Sequence, residues 1–203
     1  MPEAVWIDGA FKLEAELWRA DSDVGIVLAH PHPLFGGDMW YPLLGVIAKR
    51  AQERGISALR FNFRGVGRSE GRYSHGKGEM DDLSAAVEYM KDAGCKVVVP
   101  VGYSFGAWIV MKRVATGGDD RWVAIAPPVN FARHPKSSQL SGEGLIICGS
   151  KDMLSPASKV RREYERFRVV VVDGADHFFV DFEDRVAREV LDFVKPNGVE
   201  KDA

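Results

Sequence analysis

A hydroxyl, an imidazole and a carboxylate brought to one edge of a sheet can transfer an acyl group. The hydroxyl alone is a weak nucleophile at neutral pH; it needs a base beside it, and the base needs an acid to orient it. In this sequence Ser104 stands in Val97-Val-Val-Pro-Val-Gly-Tyr-Ser-Phe-Gly-Ala-Trp-Ile-Val-Met111, where Gly102, Ser104 and Gly106 spell G-x-S-x-G between an apolar run and a helical stretch. A serine on so tight a strand-to-helix turn requires small neighbours, because a side chain at either glycine would meet backbone. The turn lifts the hydroxyl into the crevice beyond the strand ends, where α/β sheets bind ligands. Of the five histidines, His177 follows an apolar run in Asp173-Gly-Ala-Asp-His177-Phe-Phe. It also completes the chain order serine, acid, histidine. Asp152 ends Leu145-Ile-Ile-Cys-Gly-Ser-Lys-Asp152, 25 residues earlier, whereas Asp173 and Asp176 share the histidine's own loop and would need a sharp fold-back. The plainer alternatives are a Gly-Ser turn, a loop histidine, and a turn or N-cap aspartate before the helix near Pro156.

These residues need a scaffold that brings strand ends together. Apolar runs at 25–29, 56–63, 97–101, 122–126, 145–148 and 169–172 read as strands, and helical spacing covers 39–54, 79–93, 105–115, 156–167 and 182–194. Strand and helix in alternation predict a parallel sheet wrapped on both faces. A hairpin from 4–7 and 11–19, with Asp8-Gly9 as its turn and outward and inward positions alternating along the second strand, brings the strand count to eight. Pro100 sits inside a strand that should be central, where proline cannot donate, so a bulge or a tolerated missing donor is expected there. The loops at 64–78 and 127–143 are long enough to carry function.

The chain has 203 residues, 46% hydrophobic and 28% charged, which fits a single domain, 1–203. Its 27 basic and 29 acidic residues leave no cationic excess for tracking phosphates, so nucleic acid is not an expected partner. No apolar stretch approaches the roughly 20 residues of a membrane span. Glu3, Asp8, Lys12, Glu14 and Glu16 interrupt the N-terminal region where a signal peptide would be apolar. A soluble, cytoplasmic protein is therefore expected. Cys95 and Cys148 lack the pairing of a disulfide framework or a zinc site and read as core thiols.

Five segments, HPHPLFGGDM at 30–39, FNFRGVGRSEG at 61–71, GYSFGA at 102–107, GSKDMLSP at 149–156 and GADHFF at 174–179, resemble landmarks of the α/β-hydrolase superfamily. The resemblance covers nearly the whole chain and is closest to a small lidless group of predicted esterases related to dienelactone hydrolases. It implies an α/β-hydrolase fold with a mostly parallel eight-stranded sheet, helices on both faces and no cap domain. It further implies Ser104 as nucleophile, Asp152 as acid and His177 as base. The chain departs from the lipases and esterases that carry an HGGG loop, because His30 is followed by Pro31 and the paired glycines come later, at Gly36 and Gly37.

An oxyanion hole needs backbone N–H groups, commonly one from the residue after the nucleophile and one from the loop after the first inner strand. Phe105 supplies the first. Pro31 and Pro33 have no N–H, which leaves His32, then Leu34, then Phe35 for the second. Only about 17 residues separate Pro127 from the next strand, too few for a helical cap. An open, shallow pocket taking small, short-acyl esters is expected, with no cofactor. Phe35, Tyr73, Phe131 and Phe178 are candidate lining residues, with Trp40, Phe105, Trp108 and Phe179 as further aromatics; core packing is the alternative for each. Thioesters, lactones and peptides share the same acyl chemistry.

Three further patterns in the sequence carry other chemistry. His30, His32, Asp38 and His75 could be metal ligands, although HPHPLF lacks further ligands nearby. Gly65-Val-Gly67-Arg-Ser-Glu-Gly71 imitates a dinucleotide loop with its third glycine one residue late and no helix starting on it. A noncatalytic binding module on a hydrolase scaffold is a third class, against which the retention of serine, acid and histidine argues.

Overall fold

The computed structural model describes residues 1–195. Eight strands form one sheet: β1 (Glu3–Ile7), β2 (Leu13–Trp18), β3 (Val24–Ala29), β4 (Ser57–Phe61), β5 (Val97–Tyr103), β6 (Arg121–Ile125), β7 (Glu143–Gly149) and β8 (Arg168–Val172). Their spatial order is β1-β2-β4-β3-β5-β6-β7-β8. β1 and β2 pair antiparallel, as do β2 and β4, and every pair from β4 to β8 is parallel. The helices are α1 (Pro42–Glu53), α2 (Gly78–Asp92), α3 (Phe105–Val114), α4 (Ala157–Glu163) and α5 (Glu183–Val194). This is the α/β-hydrolase fold.

Successive strand residues point to opposite faces, so β3 feeds two cores. Val27 and Ala29 pack with residues of α2 and α3, while Ile26 and Leu28 pack with those of α1 and α5. With both faces covered, an almost unbroken apolar strand is the stable solution. Between β6 and β7 the chain makes only a 3-10 turn at Ser137–Gln139, and no cap domain is built there.

Three local expectations change. The first hairpin does not turn on two residues: 8–12 connect its strands, because this segment docks on the loop after β4, Glu70 N–H donating to Lys12 O (2.9 Å) and Lys12 N–H to Glu70 Oε2 (3.1 Å). β2 alternates as expected, with Leu13, Ala15 and Leu17 in the core, but its other face is not left to solvent: Glu14 is buried and Glu16 and Trp18 are half-buried. Its acidic residues are compensated there: Glu14 accepts from Asn62 Nδ2 (2.8 Å) and Arg68 Nε (2.8 Å), and Glu16 from Arg60 Nε (2.8 Å). Finally, α1 starts at Pro42 rather than 39, because Met39 N–H is held by Asn62 Oδ1 at 2.8 Å and proline is favoured in a first helical turn.

Pro100 lies in β5 without a bulge, opposite Val27 of β3. The ladder to β6 begins only at Val101, so the missing donor falls where that pairing has not yet started.

Candidate active site

The carboxyl ends of β3, β5, β7 and β8 place the residues that matter. After β5 the backbone turns into α3 through Ser104, whose φ is 55° and ψ −111°, a conformation that L-residues seldom adopt. The turn is held by Ser104 N–H donating to Ile125 O at 2.8 Å and Gly106 N–H donating to His30 O at 3.1 Å. A Cβ at Gly102 would strike Gly106 O, and one at Gly106 would strike Ala29 O. Both glycines are thus required by the close passage of α3 over the strand ends.

β7 delivers Asp152 and β8 delivers His177, the two being 4% and 8% exposed. Asp152 Oδ1 accepts from the N–H groups of Leu154 (2.8 Å) and Ser155 (2.9 Å), which fixes the carboxylate plane. Its Oδ2 faces His177 Nδ1 at 2.8 Å, and His177 Nε2 lies 3.0 Å from Ser104 Oγ. A carboxylate only accepts, so the ring proton belongs on Nδ1 and Nε2 is left to accept from the serine hydroxyl. The Tyr103 hydroxyl donates to His177 O at 2.8 Å and anchors the loop from beneath. Asp173 instead bonds Ser150 Oγ, and Asp176 bonds the Phe178 N–H; neither makes a hydrogen bond to the His177 ring. The chain serine–imidazole–carboxylate has the geometry needed to pass a proton from Oγ to Nε2.

The loop after β3 forms the opposite wall. Leu34 N–H donates to His32 Nδ1 (3.2 Å) and Phe35 N–H to His32 O (3.0 Å), closing a 3-10 turn at Pro33–Phe35. This corrects the expectation for Leu34, and for Phe35 after it: their N–H groups are consumed by the turn. Among the described residues, the N–H groups of His32 and Phe105 donate to no protein acceptor.

The His32 ring packs against Phe35, Tyr73 and Phe105, with its Nε2 3.3 Å from Tyr73 Oη, and burial lowers its pKa. His30 is wholly buried, and burial brings its pKa down to about 4. Both its ring nitrogens are engaged: Nδ1 with Pro31 O at 2.6 Å and Nε2 with Phe63 N–H at 3.1 Å. Asp38 caps Trp40 N–H, and the His75 ring packs tilted against Tyr73, centroids 4.8 Å apart. Among the described residues, no group of three or more His, Cys, Asp or Glu is arranged to hold a metal. In the loop after β4, Gly65, Gly67 and Gly71 all have positive φ, as tight turns demand.

Ser104 lies between two lobes of a cleft, both bordered by His32, Phe35 and Leu154. The larger, about 450 Å³, is walled by Tyr73, Phe105, Trp108 and Phe131; the smaller, about 260 Å³, by Tyr41, Tyr103, His177 and Phe178. Phe35, Tyr73, Phe131 and Phe178 thus all border it. Trp40 does not, being stacked on Arg60 at 4.6 Å, and Phe179 is fully buried in the core. Phe35 and the segment 128–132 supply part of the lining of the larger lobe.

Leu154 and Glu79 escaped the sequence reasoning. Leu154 could have been found from Asp152, whose turn it completes. Glu79 is buried in the first turn of α2 and accepts from the N–H groups of Ser74 (2.7 Å) and Gly76 (2.8 Å), so it pins the loop that presents Tyr73. No pattern around Glu79 distinguishes it from an ordinary first-turn acid.

Fold and site together define a lidless α/β hydrolase with a serine on its strand-to-helix turn. The sequence model of the alpha/beta hydrolase family matches residues 26–142, and the chain belongs to that family. An alpha-beta serine hydrolase homologue from Coxiella burnetii superposes with a TM-score of 0.84 at 31% identity, covering 93% of this chain and 95% of that one. A serine hydrolase without a lid from Xanthomonas campestris gives a TM-score of 0.82 at 26% identity, covering 95% of each chain. An uncharacterised protein of Rickettsia prowazekii is 29% identical over 96% of this chain and 89% of its own length. Among the described residues, no helix is long and apolar enough to cross a membrane.

Proposed function

We propose that this hydrolase cleaves small, short-acyl carboxylic esters through an acyl-enzyme formed on Ser104. The observation that carries the reading is the hydrogen-bonded chain Ser104 Oγ–His177–Asp152, with links of 3.0 and 2.8 Å, opening on the cleft. Ser104 Oγ attacks the ester carbonyl while its proton passes to His177 Nε2, and Asp152 holds the imidazolium in place. The carbonyl oxygen becomes an oxyanion, received by the N–H groups of Phe105 and His32; their lack of protein acceptors supports these roles. His177 then gives its proton to the departing alkoxide, and the alcohol leaves. Water, deprotonated by His177, attacks the acyl-enzyme, and collapse of that second intermediate frees the acid and restores Ser104.

His177 and Phe178 border the smaller lobe, so the alcohol portion is assigned there, where the imidazolium can reach the leaving oxygen. The acyl portion is assigned to the larger, apolar lobe. A cytoplasmic setting is supported by two buried, unpaired thiols, Cys95 and Cys148.

A fluorophosphonate should label Ser104 in the native protein and leave Ser104→Ala unlabelled and without turnover but folded. In a series of p-nitrophenyl esters, kcat/KM should peak at short acyl chains. A wild-type rate in Ser104→Ala ends the mechanism; a maximum at long chains ends only the acyl assignment.

A further inference from the structure

The mechanism above uses His32 N–H but not the buried histidine two residues before it. We infer that His30 is a positioning residue for the oxyanion hole: its Nδ1–H holds Pro31 O and thereby aims the N–H at the other end of the same peptide, that of His32. The inference rests on the reading of Ser104 as nucleophile and His32 N–H as a donor to the oxyanion.

The geometry is that of a clamp on one peptide plane. Pro31 O and His32 N–H belong to one peptide unit; no peptide bond among the described residues is cis, so the two groups point in opposite directions. Fixing the carbonyl therefore fixes the N–H. His30 Nδ1 lies 2.6 Å from that carbonyl, and His30 Nε2 is tied to Phe63 N–H at 3.1 Å, just beyond the end of β4. Accepting from Phe63 forces Nε2 to be bare, which puts the ring proton on Nδ1, where the Pro31 carbonyl needs it. The ring is wholly buried and stays neutral, and it packs edge-on against Phe63 at 4.7 Å, so neither tautomer nor orientation drifts. The His30 carbonyl, for its part, accepts from Gly106 N–H at 3.1 Å, which couples the same residue to the turn that carries Ser104 and Phe105. A hydrogen bond to a peptide carbonyl also polarises its N–H, strengthening the donor. Without the clamp, His32 N–H would have only the 3-10 turn behind it, flanked by prolines that contribute no donors of their own.

Two substitutions separate positioning from mere packing. In His30→Asn the amide nitrogen falls near the place of Nδ1 and can still donate to Pro31 O, while Phe63 N–H loses its acceptor. In His30→Gln the longer side chain can reach Phe63 N–H with its oxygen, and Pro31 O loses its donor. Each variant surrenders one hydrogen bond, buried at Phe63 N–H and part-buried at Pro31 O, so each should lower the thermal midpoint by a few degrees. Their kinetics should diverge. On p-nitrophenyl acetate the Asn variant should lose about threefold in kcat. The Gln variant should lose about 10- to 100-fold, approaching the 10²–10³ typical of removing an oxyanion donor, with KM within about twofold.

A trifluoromethyl ketone reports the oxyanion directly. Ser104 Oγ adds to its carbonyl, the hydroxyl proton passes to His177, and the new oxyanion occupies the hole. Its inhibition constant should rise in His30→Gln by the factor that kcat falls. Equal kcat in the two variants, a loss confined to KM, or failure of both to fold would make His30 a framework residue only and overturn the inference. Wild-type labelling by a fluorophosphonate is the control: if Ser104 is not labelled, the proposed function fails as a whole; if it is labelled and the variants behave alike, only the role of His30 fails.

Discussion

Asp152→Asn should silence the enzyme while leaving the fold intact, for a reason visible in the hydrogen bonds of its carboxylate. Oδ1 accepts from Leu154 N–H and Ser155 N–H, and neither of those can accept in return. The amide oxygen of the variant must therefore stay at the Oδ1 position, and its NH2 must take the Oδ2 position, 2.8 Å from His177 Nδ1. An amide N–H facing Nδ1 requires that nitrogen to be bare. The ring proton moves to Nε2, which then meets Ser104 Oγ as a donor and cannot take its proton. Removing a base by the wrong tautomer costs about 10⁴-fold in kcat in comparable triads, or about 5.5 kcal/mol of barrier. The shape and both backbone contacts at Oδ1 survive, so the thermal midpoint should move by only a few degrees. Asp152→Ala supplies the contrast: it strands two N–H groups, one of them buried, and should lower stability by about 1–3 kcal/mol as well as activity. The assay is steady-state hydrolysis of p-nitrophenyl acetate, beside urea unfolding of all three proteins. An Asn variant within tenfold of wild-type kcat would refute the tautomer argument, because no orientation of the amide preserves both the backbone contacts and an acceptor at Nδ1.

Other perturbations follow from the same coordinates. Ser104→Gly and Ser104→Ala should both be inactive, but the glycine variant should be the more stable by about 1 kcal/mol, because φ of 55° strains any residue with a Cβ; equal unfolding midpoints would show that the turn stores no strain. Gly106→Ala should cost about 1–3 kcal/mol and most of the activity, since its Cβ would meet Ala29 O and push α3 from β3; wild-type behaviour in urea and in kcat would contradict so close an approach. Acid should destabilise the protein through His30, whose pKa falls by burial from an ordinary 6.5 to about 4. The unfolded chain takes up a proton below pH 6.5 that the native state refuses until about 4, so this stability is complete above 6.5 and drains away as pH falls towards 4. The group alone accounts for about 2 kcal/mol between pH 7 and 5. Urea titrations at those two pH values should show a smaller difference in His30→Asn than in wild type, and an unchanged difference would discount the group.

Much of the architecture is legible before any coordinates, because β/α alternation reports itself through period and punctuation. The continuous apolar runs of β3 and β7 admit only strands covered on both faces, and glycines flanking Ser104 admit only a tight turn. The three residues that chemistry singles out, Ser104, Asp152 and His177, are ones that the structure places in hydrogen-bonding contact. What could not be read depends on partners distant in sequence. β2 carries two glutamates and looks half-solvated, yet Asn62, Arg68 and Arg60 arrive from the β4 region to compensate them. The choice among His32, Leu34 and Phe35 turns on a local ring-to-backbone cap that HPHPLF does not announce. The walls of the cleft mix Trp108 on α3 with Phe131 and Leu154 from two loops, a convergence set by topology rather than by any one segment.

The tie from Gly106 N–H to the His30 carbonyl has a further consequence for how such an enzyme can choose its substrates. The wall and the nucleophile are mutually braced before anything arrives, and no cap stands ready to fold down upon a correct guest. Discrimination is then confined to the difference in fit at two fixed lobes, where one methylene more or less is worth about 1–3 kcal/mol. Under the proposed reading, such a catalyst grades its esters along a slope instead of admitting one and refusing the next, and Phe35 and Leu154, which border both lobes, are where a change of preference would begin.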